Sequence, residues 1–119
     1  EVPNWFTMHK HPHRDNVKDE VEAVIRLKGI SPLRARDQLA KYIRNGFSDD
    51  MGLYACYILL RDFSDVMVRR ICSAWWVEYE SGVKRDQISL PYVFWRHGYK
   101  PDLFGDDVMK KFFLWGSHL

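Results

Sequence analysis

Residues 72–99, CSAWWVEYESGVKRDQISLPYVFWRHGY, carry three of the chain's five tryptophans together with Tyr79, Tyr92 and Phe94. This density of large rings constrains the fold more than any other feature, because rings of this size need cover from other elements or from a ligand. Between the two aromatic blocks lies a compact polar cluster, Arg85-Asp86-Gln87. A few fixed polar groups beside an apolar wall describe a small-molecule pocket. They also describe an ordinary core with a charged rim.

At 119 residues the chain is one domain, residues 1–119, long enough for a single core. It is 46% hydrophobic and 15% aromatic, which fits a packed globule rather than a disordered segment. Eighteen Lys and Arg against sixteen Asp and Glu leave a net charge of +2, so composition gives no support to nucleic-acid or membrane-surface binding. No run approaches the roughly 18 to 20 apolar residues of a membrane span, and no signal-peptide pattern is visible. The expected location is therefore cytoplasmic. Cys56 and Cys72 sit in apolar stretches without metal-ligand spacing and read as reduced core residues. The chain opens on Glu1 rather than Met, as a trimmed or excised piece of a longer protein would.

Residues 4–8 read as a short extended segment leading into His9-Lys10-His11-Pro12-His13-Arg14. Three histidines in five residues suggest a metal, but Pro12 breaks the alternation and no Cys, Asp or Glu supports them. Anion binding together with Arg14 is the better reading. Val17, Val21, Val24 and Ile25 then follow helical spacing, with Asp15 or Asn16 as cap and Gly29 as stop. Ser31, Pro32 and Gly46 bracket a second helix. Asp49 and Asp50 follow that helix stop, and a loop or cap role suits them better than cation binding. Residues 53–60, LYACYILL, suit a buried strand.

Ser64 and Asp65 cap the longest helix, about residues 65–80, whose stripe of Val66, Met67, Ile71, Ala74 and Trp75 is widened by Cys72, Trp76 and Tyr79. A helix apolar this far round belongs at the centre of a fold. A further helix spans about residues 86–97. Its Pro91 has no N–H for the Gln87 carbonyl, so either the helix starts near Ser89 or that carbonyl is left for another partner. Both versions place Arg85-Asp86-Gln87 at a helix entrance, where backbone N–H groups point outward. Val108, Met109, Phe112, Phe113 and Trp115 make a last helix. The expected fold is α+β and predominantly α-helical: about five helices around the central helix 65–80, with one or two short strands.

The order of motifs adds a family. His11-Pro12-His13-Arg14, Tyr42-Ile43-Arg44-Asn45-Gly46-Phe47, Gly52-Leu53-Tyr54, Trp75-Trp76-Val77-Glu78 and Lys84-Arg85-Asp86-Gln87-Ile88-Ser89-Leu90-Pro91 occur in sequence. Together they resemble the C-terminal half of a GT-A-like glycosyltransferase family found among bacterial polysaccharide-synthesis and plant mucilage-related transferase-like proteins. The resemblance covers residues 9–99. It implies transfer of a sugar from a nucleotide-sugar to an acceptor, with a divalent cation such as manganese held by the nucleotide-binding half. That half is missing here, so a sugar-binding module without independent activity is expected, working with a donor-binding subunit or as a homo-oligomer.

Carried onto matching residues, the resemblance implies Asp86 or Glu78 as the base that deprotonates the acceptor, and Asp86 and Gln87 facing the transferred sugar. Arg85 would orient Asp86 or bind a phosphate oxygen, and Trp75 or Trp76 would stack on a sugar face. His9, His11 and Arg14 would approach a diphosphate. No residue is expected to ligate a metal in this chain. The competing expectation, from a different class, is a helical interaction or self-association module whose exposed aromatics meet a partner.

Overall fold

A computed structural model describes residues 6–50 and 52–103. In chain order these form β1 (Phe6–Lys10), α1 (Val17–Lys28), α2 (Pro32–Arg44), β2 (Tyr54–Arg61), α3 (Val66–Ser81), α4 (Asp86–Arg96) and β3 (Asp102–Leu103). The fold is α+β and mostly helical. The described residues hold four helices rather than five; the fifth expected helix, over residues 108–115, lies outside them. In the three-stranded sheet β1 is central, antiparallel to β2 and parallel to the two-residue β3. The β1–β2 register shifts between Met8 and His9, so residues 56–58 of β2 are looped past without partners on β1.

The helix starts follow side-chain chemistry. Asn16 Oδ1 accepts from the Asp19 N–H at 2.8 Å, Ser31 Oγ from the Arg34 N–H at 3.3 Å, and Asp65 Oδ1 from the Val68 N–H at 3.0 Å. Asp49 adds a cap from outside: its two carboxylate oxygens accept from the N–H groups of Val17 and Lys18 at 2.7 and 2.8 Å. An acid at this position meets the positive end of the α1 dipole. Gly29 ends α1 with a φ of 65°, a left-handed conformation that costs glycine little.

The centre of packing is α4, not the longer α3. All seven residues from 88 to 94 are buried, and α4 stands between two cores. Ile88 and Tyr92 face Val17, Val21, Val24 and Tyr42 from α1 and α2. Leu90, Val93 and Phe94 face Phe6 and Met8 of β1 and Val68 and Ile71 of α3. By contrast α3 fully buries only Val68 and Ile71, and exposes Val66, Trp76 and Val77 by 51, 64 and 61%. The physical reason is charge: α3 carries Arg69, Arg70, Glu78 and Glu80, whereas residues 88–94 carry none. Pro91 sits inside α4, which starts at Asp86, so the helix does not wait for Ser89.

Candidate functional site

The polar residues at the entrance of α4 diverge. Arg85 is the N-cap residue of α4 but makes no side-chain capping bond. Its guanidinium turns to Glu20 of α1, with Arg85 Nη2 3.6 Å from Glu20 Oε2. Glu20 is 1% exposed; its other oxygen, Oε1, receives Arg14 Nε at 2.7 Å and lies 3.7 Å from His11 Nε2. A carboxylate this buried persists as an ion only when paired. The loop after β1, the first turns of α1 and the start of α4 are therefore fastened at one charged point.

His11 is fixed from both sides. Its backbone N–H donates to the Leu53 carbonyl at 2.9 Å. Its ring Nδ1 accepts from the N–H groups of His13 and Arg14, each at 3.2 Å. With Nδ1 an acceptor, the ring is neutral and carries its proton on Nε2, towards Glu20. Burial, and to a lesser degree Arg14, His13 and Arg85, hold its pKa below the ordinary value against the opposing pull of Glu20. His11 and Arg14, expected to approach a diphosphate, and Arg85, expected to orient Asp86 or bind a phosphate oxygen, meet instead around the carboxylate of Glu20. Of His9 only the strand position is described.

Asp86 turns the other way. It does not cap α4; it lines a groove of about 340 Å³ with Arg61, Cys72, Trp75, Trp76 and Tyr79. Burial pushes its carboxyl pKa up, and the neighbouring Arg85 offsets this only in part. Trp76 and Tyr79 lie with planes 17° apart and centroids 6.2 Å apart, forming one aromatic surface on α3. Trp75 is half-buried and its indole N–H donates to Ser89 Oγ at 3.1 Å, which ties α3 to α4. Arg61 reaches Cys72 Sγ at 3.8 Å and lies over the Phe63 ring at 4.9 Å. Gln87 is half-buried on the first turn of α4.

Glu78 belongs to a different cleft, between α2 and the end of α3. Its Oε1 accepts from Tyr42 Oη at 3.1 Å and pairs with Lys41 Nζ at 3.5 Å. Behind it the buried Gln38 carboxamide donates to Tyr42 Oη at 2.6 Å and accepts from the Val83 N–H at 2.7 Å. Burial drives the Tyr42 phenol well above its usual pKa, so the relay holds protons rather than releasing them. Asp86 and Glu78 therefore do not share a site. No group of three His, Cys, Asp or Glu suited to a metal occurs among the described residues, and no helix among them is long and apolar enough to cross a membrane.

Two features escaped the sequence reading. Glu20 as the hub of the cation cluster had a visible signal: Val17, Glu20, Val21 and Val24 share one helix face, so a carboxylate stood at an apolar-face position. The cluster of Asn45, Tyr92 and Arg96 had none, because it joins residues from two helices. No protein-family model, curated protein or solved structure matches the chain.

Proposed function

We propose that the chain is a glycosyltransferase-like, carbohydrate-binding module that acts in the cytoplasm with a separate donor-binding partner. The observation that carries this reading is the groove in which the joint Trp76–Tyr79 surface stands beside the half-buried Asp86. The apolar C–H face of a pyranose packs on such rings, and its hydroxyls need fixed acceptors and donors at the edge. Asp86 supplies an acceptor and Arg61 a donor. Desolvation raises the basicity of Asp86, which suits a group that takes a proton from an acceptor hydroxyl. The ordered motifs from His11 to Pro91 support the same family of functions.

The test is binding to an array of neutral oligosaccharides by the wild-type chain and by Trp76→Ala. The reading expects a bound set that Trp76→Ala loses; an empty array, or an unchanged set, defeats it. Nucleotide-sugars with manganese are expected to bind only when a donor-binding partner is added.

A second reading is favoured by one observation. Trp76 and Val77 expose apolar surface near the end of α3, and Phe63 and Val66 expose more at its start, by 51% each. A self-association module would use that face. Sedimentation of Val77→Glu separates the two: loss of a dimer supports the interaction module, and a monomer in both chains removes it.

A further inference from the structure

On the opposite side of α4 from Asp86 lies a cavity of about 430 Å³ lined by Asn45, Tyr92, Trp95 and Arg96. Asp86 and Trp95 are nine residues apart, which is about 13 Å along the helix axis and about half a turn round it. The cavity is thus independent of the Trp76 groove.

Its polar lining is unbalanced. Asn45 Nδ2 donates to Tyr92 Oη at 2.8 Å, and Arg96 Nη1 donates to the same oxygen at 3.1 Å. With two donors already aimed at Oη, the hydroxyl's own hydrogen has no acceptor among the described residues. Rotating the Asn45 carboxamide would transfer the spare donor to its nitrogen, not remove it. Arg96 pairs with no carboxylate among the described residues; its guanidinium carbon lies 5.8 Å from the Tyr92 ring. Trp95 completes the wall as a half-buried plane, braced by Phe47 at 5.7 Å and Tyr92 at 5.9 Å between ring centroids.

The donors are also held in place before any ligand arrives. Tyr92 is fully buried and stacks on Tyr42 at 3.7 Å with planes 7° apart. Asn45 is the C-cap residue of α2, where its N–H bonds back to that helix. A set of hydrogen-bond donors with a permanent positive charge beside an aromatic plane suits an acceptor that carries negative charge; of the carboxylates, Glu78 is the one whose charge Arg96 feels, and it makes no ion pair with it.

We infer that this cavity is a second ligand site, taking an oxyanion attached to a ring: the oxyanion on the exposed Arg96 and the second amide hydrogen of Asn45, both positioned by the buried Tyr92 hydroxyl, and the ring against Trp95. A carboxylated sugar and a phosphorylated sugar share that chemistry. The site would give the protein recognition of an acidic residue separate from the Asp86 groove, whose own carboxylate repels such a group.

The experiment is a titration of the whole chain with sodium glucuronate, glucose 6-phosphate and glucose, read at the Trp95 indole N–H by NMR. One or both acidic probes should move that signal saturably, and glucose should not. The acidic probe that binds more tightly identifies the source of the oxyanion. Arg96→Ala should weaken binding about tenfold or more, and Arg96→Lys by less, because the charge is kept and the fork lost. Arg96 is exposed, so neither variant disturbs the core. Tyr92→Phe keeps the stack on Tyr42 and should weaken binding severalfold through loss of the oxygen that positions Asn45 and Arg96. The inference is overturned if no probe moves the Trp95 signal, if glucose binds as well as the acids, or if Arg96→Ala binds unchanged. Glycan binding at Trp76 can fail while these results hold, and the reverse, so the two sites are judged separately.

Discussion

Arg14 Nε stands 2.7 Å from Glu20 Oε1, and through that contact a loop residue neutralises a carboxylate that is 1% exposed. Removing the carboxylate leaves Arg14 and Arg85 facing each other, and removing Arg14 leaves a buried charge without its nearest partner. Glu20→Gln should cost about 3 kcal/mol in urea unfolding. Arg14→Ala should cost more than Arg85→Ala, because Arg85 lies farther away at 3.6 Å. Equal losses from the two arginines would show that the Arg14 contact is not the dominant one.

His11 sets an acid limit on the fold. Its pKa is lowered from 6.5 by burial, so the unfolded chain binds its proton more readily than the folded one. Stability from the neutral ring is complete above about pH 6.5 and is lost as pH falls through the lower, folded pKa. Protonation also strips Nδ1 of the two N–H bonds from His13 and Arg14. Thermal melts between pH 7 and pH 5 should fall steadily for the wild type and fall less for His11→Asn. Parallel slopes would contradict this.

The structure gives Asp86 the opposite sign. Its folded pKa is raised above 3.8, so the folded chain binds its proton more readily and loses stability as pH rises past that value. Asp86→Asn should therefore flatten this part of the pH profile and match or exceed the wild type in stability at pH 7, while binding carbohydrate more weakly. A residue kept at a cost to stability is expected at a working site. A large loss of stability at pH 7 would instead mark Asp86 as structural.

Gly82 makes room for the Gln38 carboxamide. A Cβ at residue 82 would overlap the Oε1, Cδ and Nε2 atoms of Gln38, and the Gly82 φ of −109° is open to any residue. The cost of Gly82→Ala is therefore steric: Gln38 must leave Tyr42 Oη and the Val83 N–H. About 1 to 3 kcal/mol should be lost. In a double-mutant cycle with Gln38→Ala the two losses should fall short of adding, and full additivity would separate the residues.

Much of this architecture is legible in the sequence because it is local. Asn16, Ser31 and Asp65 precede their helices with side chains that accept from N–H groups three residues on, and residues 53–60 read as a strand from their apolar run. What is not legible is which helix lies at the centre. The stripe on α3 looks broad in projection, yet Val66 and Trp76 within it are 51 and 64% exposed, as is the neighbouring Val77 at 61%. The uncharged run at residues 88–94 is the better guide, since both of its sides are packed. Less of the candidate site was legible. Arg85 meets His11 and Arg14 only through Glu20, a convergence that no motif announces, and adjacency in the motif does not keep Arg85 and Asp86 together: successive helix residues point about 100° apart. For the same reason Trp76 and Glu78, two residues apart on α3, serve different clefts.

Oligosaccharide titration followed at the Trp76 indole N–H decides whether Trp76, Tyr79 and Asp86 hold a sugar. A bound glycan should shift this signal, Trp76→Ala should abolish binding, and Asp86→Asn should weaken it about tenfold with the fold intact. Binding that survives both substitutions, or a Trp76 signal that no oligosaccharide moves, would contradict the account.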